Sequence, residues 1–448
     1  MKSLMVSVSG IRGIVGEGLT PETVCKYVSA FGTLCGRGKI VIGRDSRISG
    51  PMVEQAVISS LMSTGCSVIN IGLSATPTVQ LAVEKMNADG GIVITASHNP
   101  AEWNALKFLD RRGMFLGEEE GDIIKDIIKN DQYKFVNYKE LGEVVSSEKF
   151  DSEHINSILC SDVVKPDRIR KKNFKAVVDC VNGAGSMILP EMLLELGCDV
   201  IKINCSPDGK FPRGAEPLPE NLKDLCEKVK ETEADIGFAC DPDADRLAVV
   251  NEKGIPLGEE NTLVLAILQV LKGNRGPVAV NVSTTAAIDF IVNKFNCNVF
   301  RSKVGEIHVV KKMLENDCVI GGEGNGGVIF PQVHYGRDAM VGASLVLQLL
   351  TDENKSISEI MNEIPSYVIS KKKISIEGKE LNSILSRIKK STMTANIDET
   401  DGLKLIFKDY WVHLRASNTE PIIRIIAEAS TKKDADEITD GYIKMINE

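Results

Sequence analysis

The 448-residue chain has no long apolar run and no closely paired cysteines. No stretch reaches the roughly 18 apolar residues that a membrane span needs, and the segment before Arg12 has too few apolar residues for a signal peptide. The 11 cysteines are odd in number and include no C-x-x-C pair, which is typical of small buried side chains in a reducing compartment. The sequence therefore predicts a cytoplasmic protein with no membrane partner.

The chain also lacks an excess of basic residues. Lys and Arg number 53 against 62 Asp and Glu, a net charge of -9, and the basic residues are scattered in singles and pairs. Because nucleic-acid-binding proteins concentrate basic residues on one surface, nucleic acid is disfavoured as a partner. The chain does contain 43% hydrophobic residues, enough for packed cores. Its length predicts about three or four domains of roughly 100 to 200 residues each.

A repeated order of strands and helices predicts the architecture. Three segments, beginning near residues 39, 175 and 277, each have the pattern strand-helix-strand-helix-strand and end in GGIVITAS, ADIGFACD and CVIGGE. Such alternation predicts parallel α/β sheets. The last segment changes to a helix, a strand pair, a further strand and a final helix, which predicts an α+β unit with a mostly antiparallel sheet.

The predicted fold class is therefore α/β, with three similar α/β domains of mixed, mostly parallel sheets and a C-terminal α+β domain. Polar stretches between the periodic segments indicate the boundaries. They predict domains at residues 1–152, 153–254, 255–366 and 367–448.

Four polar motifs follow strands, where open α/β sheets bind their ligands. The third strand of each α/β unit leads into TASHNP (95–100), DPDADR (241–246) or GEGNGG (322–327). The last domain contributes RASNTEP (415–421). These motifs hold the candidate functional residues.

DPDADR indicates a metal site. Asp241, Asp243 and Asp245 alternate along the chain, so an extended loop would turn all three carboxylates to one side. Three hard oxygen ligands suit Mg²⁺. The alternative is a turn with solvated acids. The metal is favoured because the cluster ends a β-branched strand and adjoins Arg246, whose charge would let a further anion approach.

Two motifs argue against common enzyme classes. In an extended TASHNP loop His98 would point away from Ser97, and the chain has no G-x-S-x-G elbow, so a Ser-His-Asp hydrolase is disfavoured. Taken alone, Ser97 is interpreted as a hydrogen-bonding loop residue. GEGNGG lacks the G-x-G-x-x-G spacing and the Walker lysine, which disfavours a nucleotide site. Glu323 and Asn325 are instead candidates for binding sugar hydroxyls.

RASNTEP concentrates hydrogen-bond donors. Arg415 is followed by Ser417, Asn418 and Thr419, with Arg424 a few residues on. One guanidinium with clustered hydroxyl and backbone donors is suited to clamping a phosphate dianion. Taken alone, the motif is equally consistent with a capped turn.

Together, the four motifs in this order resemble those of the α-D-phosphohexomutase superfamily, which includes phosphoglucomutase/phosphomannomutase and phosphoglucosamine mutase. The resemblance spans essentially the whole chain and extends to the segments SGIRG, GRDSR, NGAG and AEPLPE. It implies four domains around a central cleft and an isomerase that interconverts hexose 1-phosphate and hexose 6-phosphate. The reaction would pass through a phosphoserine enzyme and a hexose 1,6-bisphosphate, which also serves as activator. The expected partner is a phosphosugar, and the expected assembly a monomer or homodimer.

The resemblance also implies a role for each candidate residue. Ser97 would carry the transferred phosphoryl group, and the three aspartates of DPDADR would bind Mg²⁺ together with a phosphoserine oxygen. Around the reacting group would lie Arg12, His98, Lys107 and Arg246, with Lys107 as the candidate general acid/base. The RASNTEP donors and Arg424 would hold the other phosphate, and Glu323 and Asn325 would contact sugar hydroxyls.

Two departures from the family pattern bear on the sugar. Where many members have N-G-x-K, this chain has Asn104-Ala105-Leu106-Lys107, and where others have G-E-M-S-G-H or G-E-Q-S-G-H it has GEGNGG, so Gly327 replaces a histidine. These variants are similar to a phosphoglucosamine mutase-like subgroup, but glucose and mannose phosphates stay open. Two other functions also stay open: a metal-dependent phosphatase that hydrolyses the same phosphoserine, and a non-catalytic sugar-phosphate sensor.

Overall fold

The computed structural model describes residues 4–146, 150–376, 380–392, 395–416 and 422–447. Within these residues the strands form four sheets, three mixed and one antiparallel. The four groups of elements are called units 1 to 4 in chain order. No helix of the described chain is long and apolar enough to cross a membrane.

Unit 1 is built on a seven-stranded sheet. Its strands are β1 (Leu4–Ser7), β2 (Gly10–Ile14), β3 (Lys39–Arg44), β4 (Ser67–Leu73), β5 (Gly90–Ile94), β6 (Trp103–Leu109) and β7 (Val144–Ser146), and its helices are α1 (Pro21–Cys35), α2 (Gly50–Ser63), α3 (Thr76–Lys85) and α4 (Glu118–Lys129). The order is β1-β2-β6-β5-β3-β4-β7. The predicted strands β3, β4 and β5, with β7 beside β4, form its parallel part, while β1, β2 and β6 add three antiparallel pairings that the sequence pattern did not indicate.

Units 2 and 3 each have a four-stranded sheet with two parallel pairings and one antiparallel pairing. Unit 2 contains α5 (Asp151–Leu159), α6 (Pro166–Arg170), β8 (Lys175–Asp179), α7 (Gly185–Glu195), β9 (Asp199–Ile203), α8 (Lys223–Thr232), β10 (Ile236–Cys240) and β11 (Leu247–Val250). Unit 3 contains α9 (Glu259–Gly273), β12 (Val278–Asn281), α10 (Ala287–Lys294), β13 (Val299–Ser302), α11 (Glu306–Glu315), β14 (Ile320–Glu323), β15 (Gly327–Ile329), α12 (Ala339–Glu353) and α13 (Ile357–Met361). The strand orders are β11-β10-β8-β9 and β13-β12-β14-β15.

Unit 4 has a five-stranded sheet in which every described pairing is antiparallel. Its elements are β16 (Val368–Ser375), α14 (Leu381–Ser391), β17 (Asn396–Asp398), β18 (Leu403–Ile406), β19 (Trp411–Ala416), β20 (Ile422–Ala429) and α15 (Lys432–Asn447), and the strand order is β16-β20-β19-β18-β17. The predicted α+β unit with its antiparallel sheet is confirmed.

Units 2 and 3 share one hydrophobic core. Helix α12 is apolar around most of its circumference and is buried from Ala339 to Thr351, as expected of a helix with no solvent face. Its leucines and valines belong to the same packed cluster as Val178 and Phe238 of unit 2 and Val280 of unit 3. The two units are therefore packed as a single body beneath the motif loops.

The third predicted strand of each α/β unit is followed at once by an antiparallel strand. Strand β6 returns beside β5, β11 beside β10, and β15 beside β14. TASHNP, DPDADR and GEGNGG are therefore the connections of three β-hairpins, each at the carboxyl end of its first strand. A short connection between two paired strands holds its side chains more firmly than a free loop would, and this is how the fold positions the site.

Candidate active site

The serine loop of unit 1 and the acidic loop of unit 2 meet directly. The Ser97 hydroxyl donates a hydrogen bond to Asp241 Oδ2 at 2.9 Å. Thr76, at the start of α3, donates its hydroxyl to Asp243 Oδ2 at 2.7 Å. Ser97 and the three aspartates of DPDADR are all buried. Two motifs separated by more than 140 residues in the chain thus form one polar site.

The backbone at Ser97 differs from the extended loop expected from the sequence. Ser97 has φ of 48°, in the left-handed region that few non-glycine residues adopt. Its amide donates to Thr95 Oγ1 at 2.9 Å, which fixes this turn. As a result His98 does not point away: its Nδ1 lies 3.4 Å from Ser97 Oγ, so that expectation was wrong. Burial, with the charge of Arg246 beside it, lowers the pKa of His98 to about 2, so its ring is neutral at physiological pH.

Arg47 holds the serine loop in place through hydrogen bonds to its backbone. Its guanidinium donates to the carbonyl oxygens of Ser97 (2.6 Å), Asn99 (2.7 Å), Pro100 (2.6 Å) and Trp103 (2.9 Å), and its Nε donates to Asp45 at 3.0 Å. These bonds use all five N–H groups of an arginine. The side chains of Arg47 and Asp45 are both fully buried. The segment GRDSR therefore acts as the template of the serine loop: its Arg47 holds the backbone of TASHNP in the observed shape.

The acidic loop is a tight turn, and the extended loop expected for it was also wrong. Ala244 has φ of 53°, and Asp241 Oδ1 accepts the amides of Asp245 (3.1 Å) and Arg246 (3.2 Å). The turn fits closely over NGAG, where a Cβ on Gly183 would lie 2.6 Å from Pro242. The three carboxylates nevertheless converge as predicted, with one ligand atom from each inside a group spanning 4.8 Å.

The free oxygens of the acidic loop fit a divalent cation. Among the described residues, Asp243 Oδ1 and Asp245 Oδ1 are buried and have no hydrogen-bond partner. Asp241 Oδ2 accepts the Ser97 hydroxyl. Asp243 and Asp245 thus each have one oxygen held by the surrounding protein and one without a hydrogen bond, whereas both oxygens of Asp241 accept hydrogen bonds. Buried carboxylate oxygens without partners are costly unless a cation completes them, and hard oxygen ligands suit Mg²⁺.

Each aspartate is held by a different kind of partner. Lys107 Nζ lies 2.7 Å from Asp243 Oδ2, and Arg337 Nη2 lies 2.5 Å from Asp245 Oδ2. Burial would raise the pKa of Asp243, but Lys107 outweighs it and holds that pKa below its usual range. Burial and the two neighbouring carboxylates raise the pKa of Asp241 well above its ordinary value. The charge of Arg246 offsets this rise only in part, and Asp241 is the carboxylate that contacts Ser97.

A cavity of about 340 Å³ opens beside Ser97 between units 1 and 3. Its polar lining includes Arg12, Ser97, Lys107, Glu306, Glu323 and Arg337. Burial, followed by repulsion from Arg424 and Arg246, lowers the pKa of Arg12. Three arginines from units 1, 2 and 4 therefore face one region. Arg12 lines the cavity, and the combined charge of the three arginines makes this region suited to an anion.

The phosphate loop of unit 4 is described only at its edges. Ser417, Asn418 and Thr419 lie outside the described residues. Arg415 and Arg424 occupy directly opposed positions on β19 and β20, an arrangement of like charges that is destabilising without an anion between them. Arg415 Nε lies 3.3 Å from Asp401, whose carboxylate also accepts the amide of Val304 of unit 3 at 3.0 Å.

The sugar loop has a buried acid at its centre. Glu323 Oε1 accepts from Asn281 (3.0 Å) and from the amide of Gly305 (2.8 Å), and Oε2 accepts from Arg337 at 2.7 Å. Glu323 lines the cavity, and half-buried Asn325 lies beside it in the hairpin turn, where its side chain accepts the amide of Gly327.

Two glycines of GEGNGG leave room for charged side chains from other parts of unit 3. A Cβ on Gly324 would lie 2.1 Å from the carboxylate oxygens of Glu260, and a Cβ on Gly327 would lie 2.2 Å from Arg337 Cδ. Contacts below 3.0 Å are not tolerated, so a larger residue would displace these side chains. The departures from G-E-M-S-G-H at Gly324 and Gly327 thus have a structural reason.

Family models for phosphoglucomutase/phosphomannomutase match the chain in four consecutive parts. Alpha/beta/alpha domain I matches residues 4–134, domain II 152–254, domain III 259–367, and the C-terminal domain 371–444. The chain belongs to this family. The resemblance stated from the four motifs is confirmed, and with it the prediction of a phosphohexomutase, which is an isomerase.

Relatives and solved structures agree over the full length. A phosphoglucomutase/phosphomannomutase of Thermococcus kodakarensis is 41% identical, with 98% of this chain and 97% of the relative covered. A probable phosphoglucosamine mutase of Methanopyrus kandleri is 40% identical, with 98% and 96% covered. The crystal structure of a phosphoglucomutase/phosphomannomutase family protein from Burkholderia thailandensis has 26% identity and a TM-score of 0.86, with 99% and 98% covered.

Three charged residues of this phosphohexomutase site were not singled out from the sequence: Arg47, Glu306 and Arg337. Arg47 was noted only within the family-like segment GRDSR. Glu306 lines the cavity, where burial raises its pKa to about 7. Arg337 directly precedes Asp338, the N-cap of α12. The available signal was a charged pair immediately before a largely apolar helix, because such a pair must be buried or must cap the helix.

We predict that Arg47→Met will destabilise the protein by about 3–5 kcal/mol, since it leaves Asp45 as a buried charge without its ion-pair partner, with only hydrogen bonds from Thr95 and the backbone amide of residue 47. Burial already raises the pKa of Asp45 while Arg47 lowers it, so the pKa will rise further in the variant. The folded state will then bind a proton that the unfolded state lacks, and stability will fall as pH rises towards that pKa. Urea unfolding at pH 5 and pH 8 should show the larger loss at pH 8.

The control for Arg47→Met is the double variant with Asp45→Asn, which removes the stranded charge. It should recover part of the lost stability and much of its pH dependence. A single variant that unfolds at the wild-type urea concentration would show that Arg47 is not the template of the serine loop.

Proposed function

We propose that this phosphohexomutase interconverts hexose 1-phosphate and hexose 6-phosphate with Ser97 as the phosphorylated residue and a hexose 1,6-bisphosphate as the intermediate. The observation that carries the proposal is the 2.9 Å contact between the Ser97 hydroxyl and Asp241, inside a buried group of three carboxylates. Phosphoryl transfer needs an acceptor oxygen, a cation beside it and charged groups for the equatorial oxygens. The surroundings of Ser97 are suited to supply all of these.

The proposed metal is Mg²⁺, held by Asp241, Asp243 and Asp245 together with an oxygen on Ser97. Support comes from the buried oxygens of Asp243 and Asp245 that have no hydrogen-bond partner among the described residues, and from the ligand atoms of the three acids, which lie within 4.8 Å of one another. A divalent cation there would offset negative charge on the transferred phosphoryl group. The protein orients each ligand through its other oxygen, by Lys107 for Asp243 and by Arg337 for Asp245.

Lys107 is proposed as the general acid/base and as a cation facing the reacting group. Burial opposes its charged form, but Asp243 and Asp245 raise its pKa, so it carries a proton at neutral pH. It lines the cavity next to Ser97. It can therefore donate a proton to the leaving sugar oxygen when Ser97 takes the phosphoryl group, and be restored by the proton that the Ser97 hydroxyl gives up. When the sugar hydroxyl attacks the phosphoserine, the same proton transfers run in reverse. Neutral His98 and charged Arg12 and Arg246 complete the proposed surroundings.

The second phosphate of the sugar is proposed to bind between units 1 and 4. Arg415 and Arg424 are opposed on adjacent strands, and the charge of Arg424 reaches Arg12. A phosphate dianion would relieve this repulsion and would accept charge-assisted hydrogen bonds. Ser417, Asn418 and Thr419 are proposed to add hydroxyl and amide donors there.

The substrate class is proposed to be an aldohexose phosphate, with Glu323 and Asn325 contacting ring hydroxyls. The four predicted domains, 1–152, 153–254, 255–366 and 367–448, would be the walls of the cleft. The relatives carry the names of both phosphoglucomutase/phosphomannomutase and phosphoglucosamine mutase. Assays of glucose 1-phosphate, mannose 1-phosphate and glucosamine 1-phosphate side by side will rank the sugars.

We predict that Ser97→Ala will abolish both phosphorylation and turnover, because the hydroxyl that lies against Asp241 on the wall of the cavity is removed. Intact-mass analysis of wild type after incubation with a hexose 1,6-bisphosphate should show a species heavier by one phosphoryl group. The variant should lack that species. Ser59→Ala, which changes an exposed serine on α2, is the matched control and should behave as wild type. Persistence of the heavier mass in Ser97→Ala would move the phosphorylation site elsewhere.

We predict that Arg415→Ala will raise the KM for hexose 1-phosphate about ten- to a hundredfold, since a charge-assisted contact contributes about 1.5–3 kcal/mol. Phosphorylation of Ser97 by added bisphosphate should be impaired but not abolished, because Ser97 and the acidic loop lie in other units. Steady-state kinetics and release of free bisphosphate measure the two effects.

The matched control for Arg415→Ala is Arg387→Ala, an exposed arginine of the same unit on α14. It should leave KM unchanged. An Arg415→Ala enzyme with normal KM and no bisphosphate release would mean that RASNTEP is only a capped turn.

A further inference from the structure

We propose that Arg337 is the positioning residue that joins the metal loop to the sugar loop, and that Gly327 is required to admit it. The inference rests on the proposed function, because it assigns a task within the same site. It concerns a residue that belongs to none of the four motifs.

The geometry of Arg337 carries the proposal. One terminal nitrogen, Nη2, bonds Asp245 Oδ2 at 2.5 Å, and the other, Nη1, bonds Glu323 Oε2 at 2.7 Å. Its Nε lies 3.0 Å from Glu306. The side chain is about nine-tenths buried and lines the cavity that contains Ser97. One planar cation therefore fixes two acids that belong to different units.

The bond to Asp245 leaves its other carboxylate oxygen without a hydrogen bond. Asp245 Oδ1 has no hydrogen-bond partner among the described residues, although Arg246 Nε lies 3.7 Å from it, and Asp245 belongs to the group of three acids whose ligand atoms lie within 4.8 Å of one another. By holding Oδ2, Arg337 selects which oxygen is offered to a cation. Hydrogen bonds to the far side of metal ligands commonly set metal affinity in this way.

Gly327 is needed because it has no side chain to collide with Arg337, and not because it adopts a backbone conformation that other residues avoid. It is not among the glycines with positive φ, unlike Gly322 and Gly326. A Cβ at this position would lie 2.2 Å from Arg337 Cδ and 2.8 Å from its Cγ. A histidine at position 327, common in the family pattern, and Arg337 in its present path therefore exclude each other. The position of Arg337 therefore depends on glycine at position 327.

A lysine cannot replace this arginine. An ammonium is a compact charge on a flexible stem, whereas the planar guanidinium presents separate N–H groups at fixed angles. A lysine side chain at this position could neutralise one acid but could not bond Asp245 and Glu323 in the same arrangement. Arg337→Lys therefore keeps the charge and removes the bridge, which separates positioning from simple neutralisation.

The test measures Mn²⁺ binding by the sugar-free, full-length protein, with free Mn²⁺ followed by electron paramagnetic resonance. Arg337→Lys should bind Mn²⁺ about 10- to 100-fold more weakly than wild type. It should also show a raised KM for hexose 1-phosphate, because Glu323 loses its anchor. Arg168→Lys, a surface arginine that pairs with Asp352 outside the cavity, is the matched control and should match wild type in both measurements.

A second perturbation keeps the test valid if Arg337→Lys does not fold, which thermal unfolding will show. Gly327→Ala should weaken Mn²⁺ binding by displacing the arginine, whereas Gly273→Ala, where a Cβ meets nothing within 4 Å, should not. The double variant Gly327→Ala with Arg337→Ser should bind Mn²⁺ no more weakly than Arg337→Ser alone. Without the arginine side chain, the added Cβ at position 327 has nothing to displace, so the losses of the two single variants should not add.

The possible failures are distinguishable. Wild-type Mn²⁺ affinity in both Arg337→Lys and Gly327→Ala, or fully additive losses in the double variant, would overturn the role of Arg337. If instead the wild-type protein does not bind Mn²⁺, or if Asp243→Asn binds it as tightly as wild type, the proposed metal site would be overturned.

Discussion

The structure depends on how three buried carboxylates are kept together. Asp241, Asp243 and Asp245 are wholly removed from solvent, where like charges repel strongly and desolvation is costly. Each is stabilised through one oxygen by a different partner: amides of its own loop for Asp241, Lys107 of unit 1 for Asp243, and Arg337 of unit 3 for Asp245. The three α/β units must therefore be docked for the acidic loop to exist in this form.

This requirement explains why the site is assembled from hairpins. Strands β6, β11 and β15 return beside the strands that deliver the motifs, so the loops between them are short and their side chains are fixed. Lys107 lies on β6, one strand beyond the serine loop, and reaches the acidic loop of the next unit. The shared core of units 2 and 3 holds Arg337 in place before α12. Packing and charge neutralisation thus act on the same few elements.

Much of this was accessible from the sequence, for physical reasons that can be named. Strands β3, β4, β5, β8, β9, β10, β12, β13 and β14 and the helices between them follow apolar periodicity. The alternation in DPDADR correctly placed three carboxylates together. The returning strands β11 (LAVV) and β15 (GVI) were missed because they are too short to show a period, and β6 (WNALKFL) was missed because its apolar and polar residues do not alternate. Both loops were expected to be extended, because nothing in the sequence marks Ser97 and Ala244 as left-handed.

Two arginines show more clearly which site residues the sequence could and could not predict. Arg415 could be singled out because it begins a cluster of donors. Arg337 lies 92 residues from Asp245 in a segment without a strand-end motif, and only the packed structure brings them together. The clue lay in a departure: Gly327 replaces a histidine of the family pattern, and its missing side chain is the space that Arg337 occupies. A glycine substitution in a functional loop can therefore indicate a residue that arrives from elsewhere in the chain.

The central claim is that the group carried by Ser97 is passed to a sugar rather than to water. The most direct measurement prepares the enzyme with a ³²P-labelled phosphoryl group, mixes it with unlabelled hexose 1-phosphate, quenches at short times and separates the products. The account predicts that label leaves the protein first as hexose bisphosphate and then appears in the hexose monophosphates. Label released mainly as inorganic phosphate, with none on the sugar, would contradict it and would indicate a phosphatase.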